Sequence, residues 1–327
     1  MENIKMKKVI HTEYGPPSLL HFAEVEKPAP KDDEVLVKIH AASLNAYDWH
    51  LLTADIFLVR FETGLFKPKG TRIGADIAGR VEAVGKNVTQ FKSGDEVYAD
   101  LASCGGGGFA EYVTVPENYL AFKPANFSFE ESAAVPMAAV TALQGLRDEG
   151  KIQAGHKVLI NGASGGVGTY AVQLAKHFGA KVTAVCSTRN VEMVRSLGAD
   201  HVIDYTQENF TEGDEKYDLI LGVNGYHPLS AYKRTLTSEG RYVMAGGTSK
   251  QIFSAVLFGA LISTKGKKMS IVSAKPNQKD LDFMRELLEA NKVKSIIDKV
   301  FKVDVIAQAL AYIGEGHARG KVVITME

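Results

Sequence analysis

The chain has 327 residues, enough for two domains, and its 38 basic residues balance 38 acidic ones at a pI near 7.1. This balance gives no electrostatic basis for nucleic acid or an anionic membrane as the main partner. Two cysteines without a Cys-x-x-Cys pair, and an N terminus without a signal-peptide pattern, exclude a disulfide framework and predict a cytoplasmic protein. The longest apolar run, 252–262, is about half the length of a membrane-spanning helix.

The first 125 residues predict a mainly β domain. Extended runs such as 33–45 and 109–116 are separated by turns rich in Gly, Pro and Asp. The next segment, 128–146, begins with Ser128 and Glu131 at capping-box spacing and continues with small, helix-compatible residues. We expect this helical segment to connect two domains.

From Lys157 onward, short β-branched runs alternate with segments of helical periodicity, which predicts βαβ units and a parallel sheet. The predicted strands are 157–161, 181–186, 201–204, 218–223, 241–246 and 268–274. Six strands with helices between them are typical of a doubly wound dinucleotide-binding fold.

The last predicted elements are helices near 278–291 and 304–313 and strands at 294–301 and 321–326. They are too few for a further domain, so we expect them to complete the first one. The predicted division is therefore 1–127 with 268–327 for the mainly β domain, and 128–267 for the inserted parallel-sheet domain.

A glycine-rich loop follows the first predicted strand of the inserted domain. Its residues are Gly162, Ala163, Ser164, Gly165, Gly166, Val167 and Gly168. Gly165 and Gly168 occupy the second and third positions of the Gly-x-Gly-x-x-Gly fingerprint, between a strand and a helix, while Ala163 replaces the first glycine. This context predicts a pyrophosphate site at the start of the helix; the alternative is a plain strand-to-helix turn.

An NAD site normally has an acidic residue about 20 residues after this loop. Here no Asp or Glu occurs between Glu149 and Glu192, and Ser187, Thr188 and Arg189 follow the second strand. A guanidinium and hydroxyls attract a 2′-phosphate, so the sequence predicts NADPH. Alternatively, Arg189 is simply an exposed residue at a helix start.

The chain resembles the medium-chain dehydrogenase/reductase superfamily, and within it the zinc-independent quinone oxidoreductases that are similar to zeta-crystallin. The motifs that carry this resemblance are SLNAYDWHL (43–51), GADIAGRVEAVGKNVTQFKSGDEVYA (74–99), AAVPMAAVTAL (133–143), GASGGVG (162–168), SLGADHVIDY (196–205) and GHARGKVVI (316–324). The resemblance implies a GroES-like catalytic domain formed by both ends of the chain, an inserted Rossmann domain, and a homodimer.

The resemblance also implies roles for individual residues. Tyr205 would lie against the 2′-phosphate, Thr141 near the nicotinamide ribose and Asn45 near the nicotinamide and the substrate. A further three residues, Ala245, Gly246 and Gly247, would approach the nicotinamide ring.

Zinc-dependent relatives have Gly-His-Glu where this chain has Gly74-Ala75-Asp76, and a cysteine within the stretch that reads SLNAYD here. Catalytic zinc needs three protein ligands with thiolate or imidazole character, and Ala75 provides none. The sequence therefore predicts no metal site.

Without a metal, the expected acceptors are quinones and α,β-unsaturated carbonyl compounds, whose conjugated oxygen takes up charge as hydride is added. Asn45 or a backbone N–H would hold that oxygen, and the proton would come from water, Tyr47 or His50. Alternatively, Asn45 caps a turn, Asp48 holds the helix start, and Tyr47 and His50 only line an interface.

Two further alternatives stay open at this stage. The apolar segment 54–70 is either one wall of a substrate pocket, a partner interface or a core helix. The whole protein is either an NADPH-dependent reductase or a non-catalytic NADPH-binding sensor, structural or RNA-associated protein of the same fold, because fold alone does not determine function.

Overall fold

A computed structural model describes residues 4–57, 59–69, 73–224, 227–247, 263 and 266–326. The chain divides into two compact units. The terminal unit contains residues 1–137, 275–291 and 295–327, and the central unit contains residues 138–274 and 292–294.

The described strands, in chain order, are β1 Lys5–Ile10, β2 His21–Glu26, β3 Glu34–Leu44, β4 Asp76–Val84, β5 Glu96–Asp100, β6 Tyr112–Pro116, β7 Leu120–Phe122, β8 Lys157–Asn161, β9 Lys181–Cys186, β10 His201–Asp204, β11 Tyr217–Gly222, β12 Leu236–Met244, β13 Lys268–Ile271, β14 Ile297–Lys302 and β15 Lys321–Thr325. The described α-helices are α1 Ala46–Thr53, α2 Val59–Thr63, α3 Phe129–Ala133, α4 Pro136–Gln144, α5 Gly166–His177, α6 Val191–Ser196, α7 Leu229–Thr235, α8 Gln278–Glu289 and α9 Ile306–Gly314.

The central unit contains a parallel sheet with the order β10-β9-β8-β11-β12-β13 among the described strands. This is the doubly wound order, in which the direction of winding reverses between β8 and β11. Strands covered on both faces require continuous apolar runs, and Val158, Leu159 and Ile160 of β8 are fully buried. The predicted α/β fold class, with a Rossmann sheet inserted in a mainly β domain, is confirmed.

The terminal unit contains a second sheet with the order β14-β15-β3-β4-β5-β7, and β6 also pairs with β3. The C-terminal strand β15 runs antiparallel to β3, with Val322 opposite Leu44. This pairing brings Lys321, at the start of β15, next to the end of β3. The chain termini thus complete one domain, as expected.

The structure differs from the sequence prediction at the domain boundaries. Strand β13, residues 268–271, pairs with β12 in the parallel sheet, so a boundary at 267/268 would separate a strand from its own sheet. The compact units change at 137/138, inside α4, and at 274/275. The segment 128–146 is also not one helix, because α3 ends before Pro136, which begins α4.

Ser128 caps α3 as its sequence predicts. Its hydroxyl accepts a hydrogen bond from the Glu131 amide at 3.2 Å, and the Glu131 carboxylate accepts one from the Ser128 amide at 2.9 Å. Within the described part of the chain, no helix is long and apolar enough to cross a membrane, and the apolar run 252–262 lies outside that part.

Candidate active site

The predicted cofactor-binding residues of the central unit follow the carboxyl ends of its parallel strands. The glycine loop follows β8, Ser187 follows β9, Tyr205 follows β10 and Ala245 follows β12. Since these strands belong to one parallel sheet, their carboxyl ends lie at the same edge of it, where open α/β sheets bind ligands. The structure therefore brings these predicted residues together.

The glycine loop is shaped by two close approaches. Gly162 has φ +89°, a conformation that favours glycine, and a Cβ there would lie 2.8 Å from the Asn224 amide nitrogen. A Cβ on Gly168 would lie 2.1 Å from the Gly162 carbonyl oxygen, so α5 packs directly on the loop. Ala163 is fully buried, and its amide donates to the Val185 carbonyl at 3.0 Å.

Gly165 is different, because the protein itself does not require a glycine there. It is the N-cap of α5 with φ −85° and ψ 179°, which other residues adopt readily. A Cβ would come no closer than 3.8 Å to any neighbouring atom, the Gly162 carbonyl oxygen. The space that a side chain of Gly165 would take is therefore open, and the next residues, Gly166 and Val167, supply amides without intrahelical partners at the first turn of α5. This loop fits a pyrophosphate.

The end of β9 is joined to the glycine loop by Asn190, which sequence reasoning missed. Its buried side-chain amide donates to the hydroxyls of Ser164 at 3.0 Å and Ser187 at 3.1 Å. Arg189 lies between Ser187 and Asn190 in the sequence. It is exposed and belongs to the short 3₁₀ turn Thr188–Asn190. Its exposure is compatible with both the phosphate-binding and the helix-start interpretation.

An acidic residue does lie beside this turn. Asp204, at the end of β10, is opposite Cys186 of β9, and its carboxylate accepts hydrogen bonds from the hydroxyls of Thr188 at 2.6 Å and Thr206 at 2.8 Å. The Thr188 hydrogen bond in particular holds the pKa of Asp204 below its usual value. The linear sequence conceals this neighbour because it comes from the next strand. Tyr205, directly after it, is exposed.

The residues predicted near the nicotinamide occupy defined positions in the central unit. The Ala245 amide donates to the Gly222 carbonyl at 2.8 Å, which ties the end of β12 to that of β11. A Cβ on Gly246 would lie 2.5 Å from the Val223 carbonyl oxygen, and Gly247 has φ +143°. Thr141 lies within α4 and is buried. Their contact with a nicotinamide remains a prediction.

A buried polar cluster in the terminal unit surrounds Asn45. The Asn45 side-chain amide donates to Asp76 Oδ2 at 2.9 Å, and its oxygen accepts from Lys321 Nζ at 2.5 Å. Asp76 and Lys321 are themselves 3.2 Å apart and almost completely buried. Ser43 donates to the same Asp76 oxygen at 2.9 Å. The sequence motif predicted Asn45, but neither Asp76 nor Lys321, as a member of this cluster.

Asp48 holds the start of α1, as the alternative interpretation of the sequence proposed. Its carboxylate accepts from the amides of Asn45 at 2.9 Å and Gly74 at 3.1 Å. Tyr47 is half-buried on the same helix. His50 Nδ1 lies 2.7 Å from Asp55 Oδ1, so one ring nitrogen of this predicted proton donor is already engaged within the protein.

Two buried carboxyl groups next to Asp76 are difficult to ionise. Burial, and then the charge of Asp76, raises the pKa of Asp100 to about 8. Burial likewise raises the pKa of Asp48 to about 7, with Asp76 adding to it, although the Asn45 and Gly74 amides oppose the shift. The cluster thus holds more protons in the folded state than in the unfolded state at neutral pH.

This proton uptake predicts a pH dependence of stability. Because the folded pKa of Asp100 lies above its unfolded value, its stabilising contribution is complete below about pH 4 and is lost as the pH rises toward 8. The free energy of unfolding should therefore fall between about pH 4 and pH 8, and Asp100→Asn should reduce that fall by about 1 kcal/mol or more. Urea unfolding of this unit can be followed by the fluorescence of Trp49, the only tryptophan of the chain.

The exposed Asp304→Asn variant serves as the control for this measurement, and it should retain the pH dependence of the unmodified protein. An unchanged slope in Asp100→Asn would contradict the raised pKa.

Zinc does not fit the residues at this position. Ala75 offers no ligand atom, Asn45 offers an amide, and the Asp76 carboxylate is held by the ammonium of Lys321. Zinc takes thiolate, imidazole or carboxylate ligands, and the buried ammonium would repel a dication. A cation of the chain itself occupies the place beside Asp76.

Comparison with known proteins gives two family matches. Residues 31–125 match the alcohol dehydrogenase GroES-like domain, and residues 197–324 match a family described as zinc-binding dehydrogenase. The chain is 35% identical over 320 residues to a chloroplast envelope quinone oxidoreductase homolog of Arabidopsis thaliana, covering 93% of both chains. It is 36% identical over 336 residues to an NADPH-dependent alkenal/one oxidoreductase of the same plant, covering 98% of this chain and 79% of the relative.

The chain belongs to the medium-chain dehydrogenase/reductase superfamily. Among solved structures, the quinone oxidoreductase from Coxiella burnetii superposes with a TM-score of 0.88 at 26% identity, covering 99% of this chain and 100% of that one. Membership confirms the resemblance found in the sequence motifs. It also identifies the protein as an oxidoreductase with a nicotinamide cofactor, consistent with the glycine loop and its open first turn.

Proposed function

We propose that this medium-chain reductase transfers hydride from NADPH to a quinone or an α,β-unsaturated carbonyl compound without a metal. The observation that carries the proposal is the Asn45–Asp76–Lys321 cluster at the position where zinc-dependent relatives have their ligands. This cluster offers a hydrogen-bond donor in place of a Lewis acid. The relatives named quinone oxidoreductase and alkenal/one oxidoreductase support the same two acceptor classes.

The chemistry divides simply between cofactor and protein. A bound reduced nicotinamide would supply the hydride at C4 of its ring. Addition to a conjugated acceptor places negative charge on the carbonyl oxygen, and a donor positioned before the reaction stabilises that charge. Asn45 provides the donor. Water, Tyr47 or the free Nε2 position of His50 would then provide the proton.

NADPH is proposed over NADH because Ser187, Arg189 and Tyr205 follow the adjacent strand ends β9 and β10. A guanidinium, two hydroxyl groups and an exposed aromatic ring suit a 2′-phosphate. The name of the alkenal/one oxidoreductase relative includes the same cofactor.

An apolar acceptor is supported by the segment between α1 and β4. Phe57, Phe61 and Phe66 are 59%, 64% and 89% exposed, so this segment is not a core helix. Exposed aromatic rings of this kind suit a wall that covers a flat, conjugated substrate.

The acceptor panel tests the proposed function against the non-catalytic alternative. Steady-state NADPH oxidation should occur with 1,4-quinones or with enones and should exceed the rate with saturated aldehydes and ketones. A sensor or structural protein would bind NADPH, as followed by its fluorescence, without oxidising it on any acceptor.

We also propose that the protein is a cytoplasmic homodimer. Both cysteines are free thiols, which the reducing cytoplasm favours. Light scattering of the purified protein would measure its oligomeric state.

A further inference from the structure

We propose that Lys321 and Asp76 are positioning residues, which hold the side-chain amide of Asn45 in one orientation and leave one of its N–H groups for the acceptor oxygen. The inference rests on the proposed function, because Asn45 acts there as the donor. It adds two residues that no sequence motif assigned to the reaction.

The Lys321 ammonium uses all of its hydrogen-bonding capacity within the protein. Its side chain is 2% exposed, and its ammonium donates to the Leu44 carbonyl at 3.1 Å, Asn45 Oδ1 at 2.5 Å and Asp76 Oδ2 at 3.2 Å. An ammonium has three protons, and these three acceptors account for all of them. Lys321 therefore has no proton directed at a substrate, and its effect must pass through Asn45.

Asp76 is fixed in the same way. Its Oδ2 accepts from the Ser43 hydroxyl, the Asn45 amide and the Lys321 ammonium, and its Oδ1 accepts from the Met137 amide at 2.9 Å. Four donors from separate elements hold a carboxylate that is fully buried. Neither oxygen is free to rotate away from Asn45.

These two partners determine which way the amide of Asn45 points. An ammonium only donates and an ionised carboxylate only accepts, so Oδ1 must face Lys321 and Nδ2 must face Asp76. The flipped amide would place NH₂ against NH₃⁺ and oxygen against carboxylate. Nδ2 carries two hydrogens, and among the described residues only Asp76 accepts one of them. Asn45 is partly exposed, and we assign the second hydrogen to the acceptor oxygen.

Stability alone does not explain this arrangement. Replacing a buried ion pair with apolar residues of similar volume is often neutral or stabilising, because removing two charges from water is costly. A second buried lysine of the same unit, Lys123, allows the effect of losing a buried lysine to be separated from the effect of losing the contact with Asn45. Lys123 is 8% exposed and is paired with Glu96 at 3.2 Å, and its ammonium also donates to the Phe127 carbonyl. It does not contact Asn45 or Asp76.

The test is a double-mutant cycle on the NADPH-loaded enzyme with the best acceptor of the panel. Lys321→Met should lower kcat about tenfold or more with little change in the KM for NADPH, because the donor loses its fixed orientation. In the Asn45→Ala background, Lys321→Met should cause no further loss of kcat. Lys123→Met, the matched control, should leave kcat unchanged in both backgrounds.

A kcat that Lys321→Met leaves unchanged, or lowers by the same factor with and without Asn45, would overturn the inference. So would an unchanged kcat in Asn45→Ala. If Lys321→Met does not fold, Asp76→Asn/Lys321→Met removes both charges together and should show the same loss and the same dependence on Asn45. Absence of turnover in the unmodified protein would instead overturn the proposed function, and this inference with it.

Discussion

Gly165→Ala is expected to weaken NADPH binding about 100-fold while the protein stays folded. The added methyl group meets no protein atom closer than 3.8 Å, but it fills open space at the N-cap of α5, where the glycine lets a ligand approach the backbone. A pyrophosphate that approaches the backbone there would be displaced. Titration of NADPH fluorescence gives the dissociation constant, and thermal unfolding gives the stability.

Stability should change by less than about 1 kcal/mol, because two small effects oppose each other. Alanine reduces the freedom of the unfolded chain, but it is a poorer N-cap than glycine. Gly213→Ala is the matched control: it is an exposed glycine of the same unit, and its Cβ would have its nearest neighbour at 4.0 Å. If Gly165→Ala bound NADPH as tightly as this control, the loop would be a plain turn.

Arg189→Glu is expected to lower kcat/KM for NADPH about 100-fold and to leave kcat/KM for NADH nearly unchanged. The substitution replaces a guanidinium with a carboxylate in the Thr188–Asn190 turn, whose Thr188 hydroxyl already contacts Asp204, so it adds a second negative charge to this end of the sheet and would repel a dianionic 2′-phosphate. NADH has no such phosphate and is insensitive to that repulsion. Initial rates with both cofactors, at fixed ionic strength, give the ratio of kcat/KM for NADPH to kcat/KM for NADH.

Arg195→Glu provides the control for long-range charge. Arg195 lies on the exposed face of α6 and pairs with Glu192, away from the carboxyl edge of the sheet. It should change both cofactors' kcat/KM by less than about twofold. An enzyme that uses NADH at least as well as NADPH before any substitution would show that Ser187, Arg189 and Tyr205 do not form a phosphate site.

The parallel sheet could be predicted from the sequence because its central strands, such as β8 and β11, are buried on both faces and therefore appear as short apolar runs. The ranges of β8, β9 and β10 agree with the prediction residue for residue. Strand β12 was predicted to begin at 241 but begins at Leu236, since the residues that follow Leu236 are Thr, Ser, Glu and Gly and interrupt the apolar pattern. The break at Pro136 was missed because small, helix-compatible residues flank it on both sides.

The candidate site was predicted only where its residues lie in one contiguous motif. The glycine loop meets that condition. Lys321 does not, because it is 276 residues from Asn45 and 245 from Asp76, and the antiparallel pairings of β15 with β3 and of β3 with β4 bring them together. The sequence did contain a signal for Lys321, because it begins the apolar run KVVIT. Burying a lysine costs free energy unless it is paired, so a lysine in such a strand indicates a buried partner. Asp204 was missed for the same reason, because its contact with Thr188 crosses neighbouring strands.

Transfer of deuterium from NADPH labelled at C4 to an enone tests the central claim most directly. Both C4 epimers of the label are needed, since either face of the ring can be the donor. The account predicts that one epimer delivers deuterium to the β-carbon of the product and that the α-hydrogen comes from solvent. Deuterium at the carbonyl carbon would contradict it, and so would no transfer from either epimer together with no NADPH oxidation by 1,4-quinones despite tight NADPH binding.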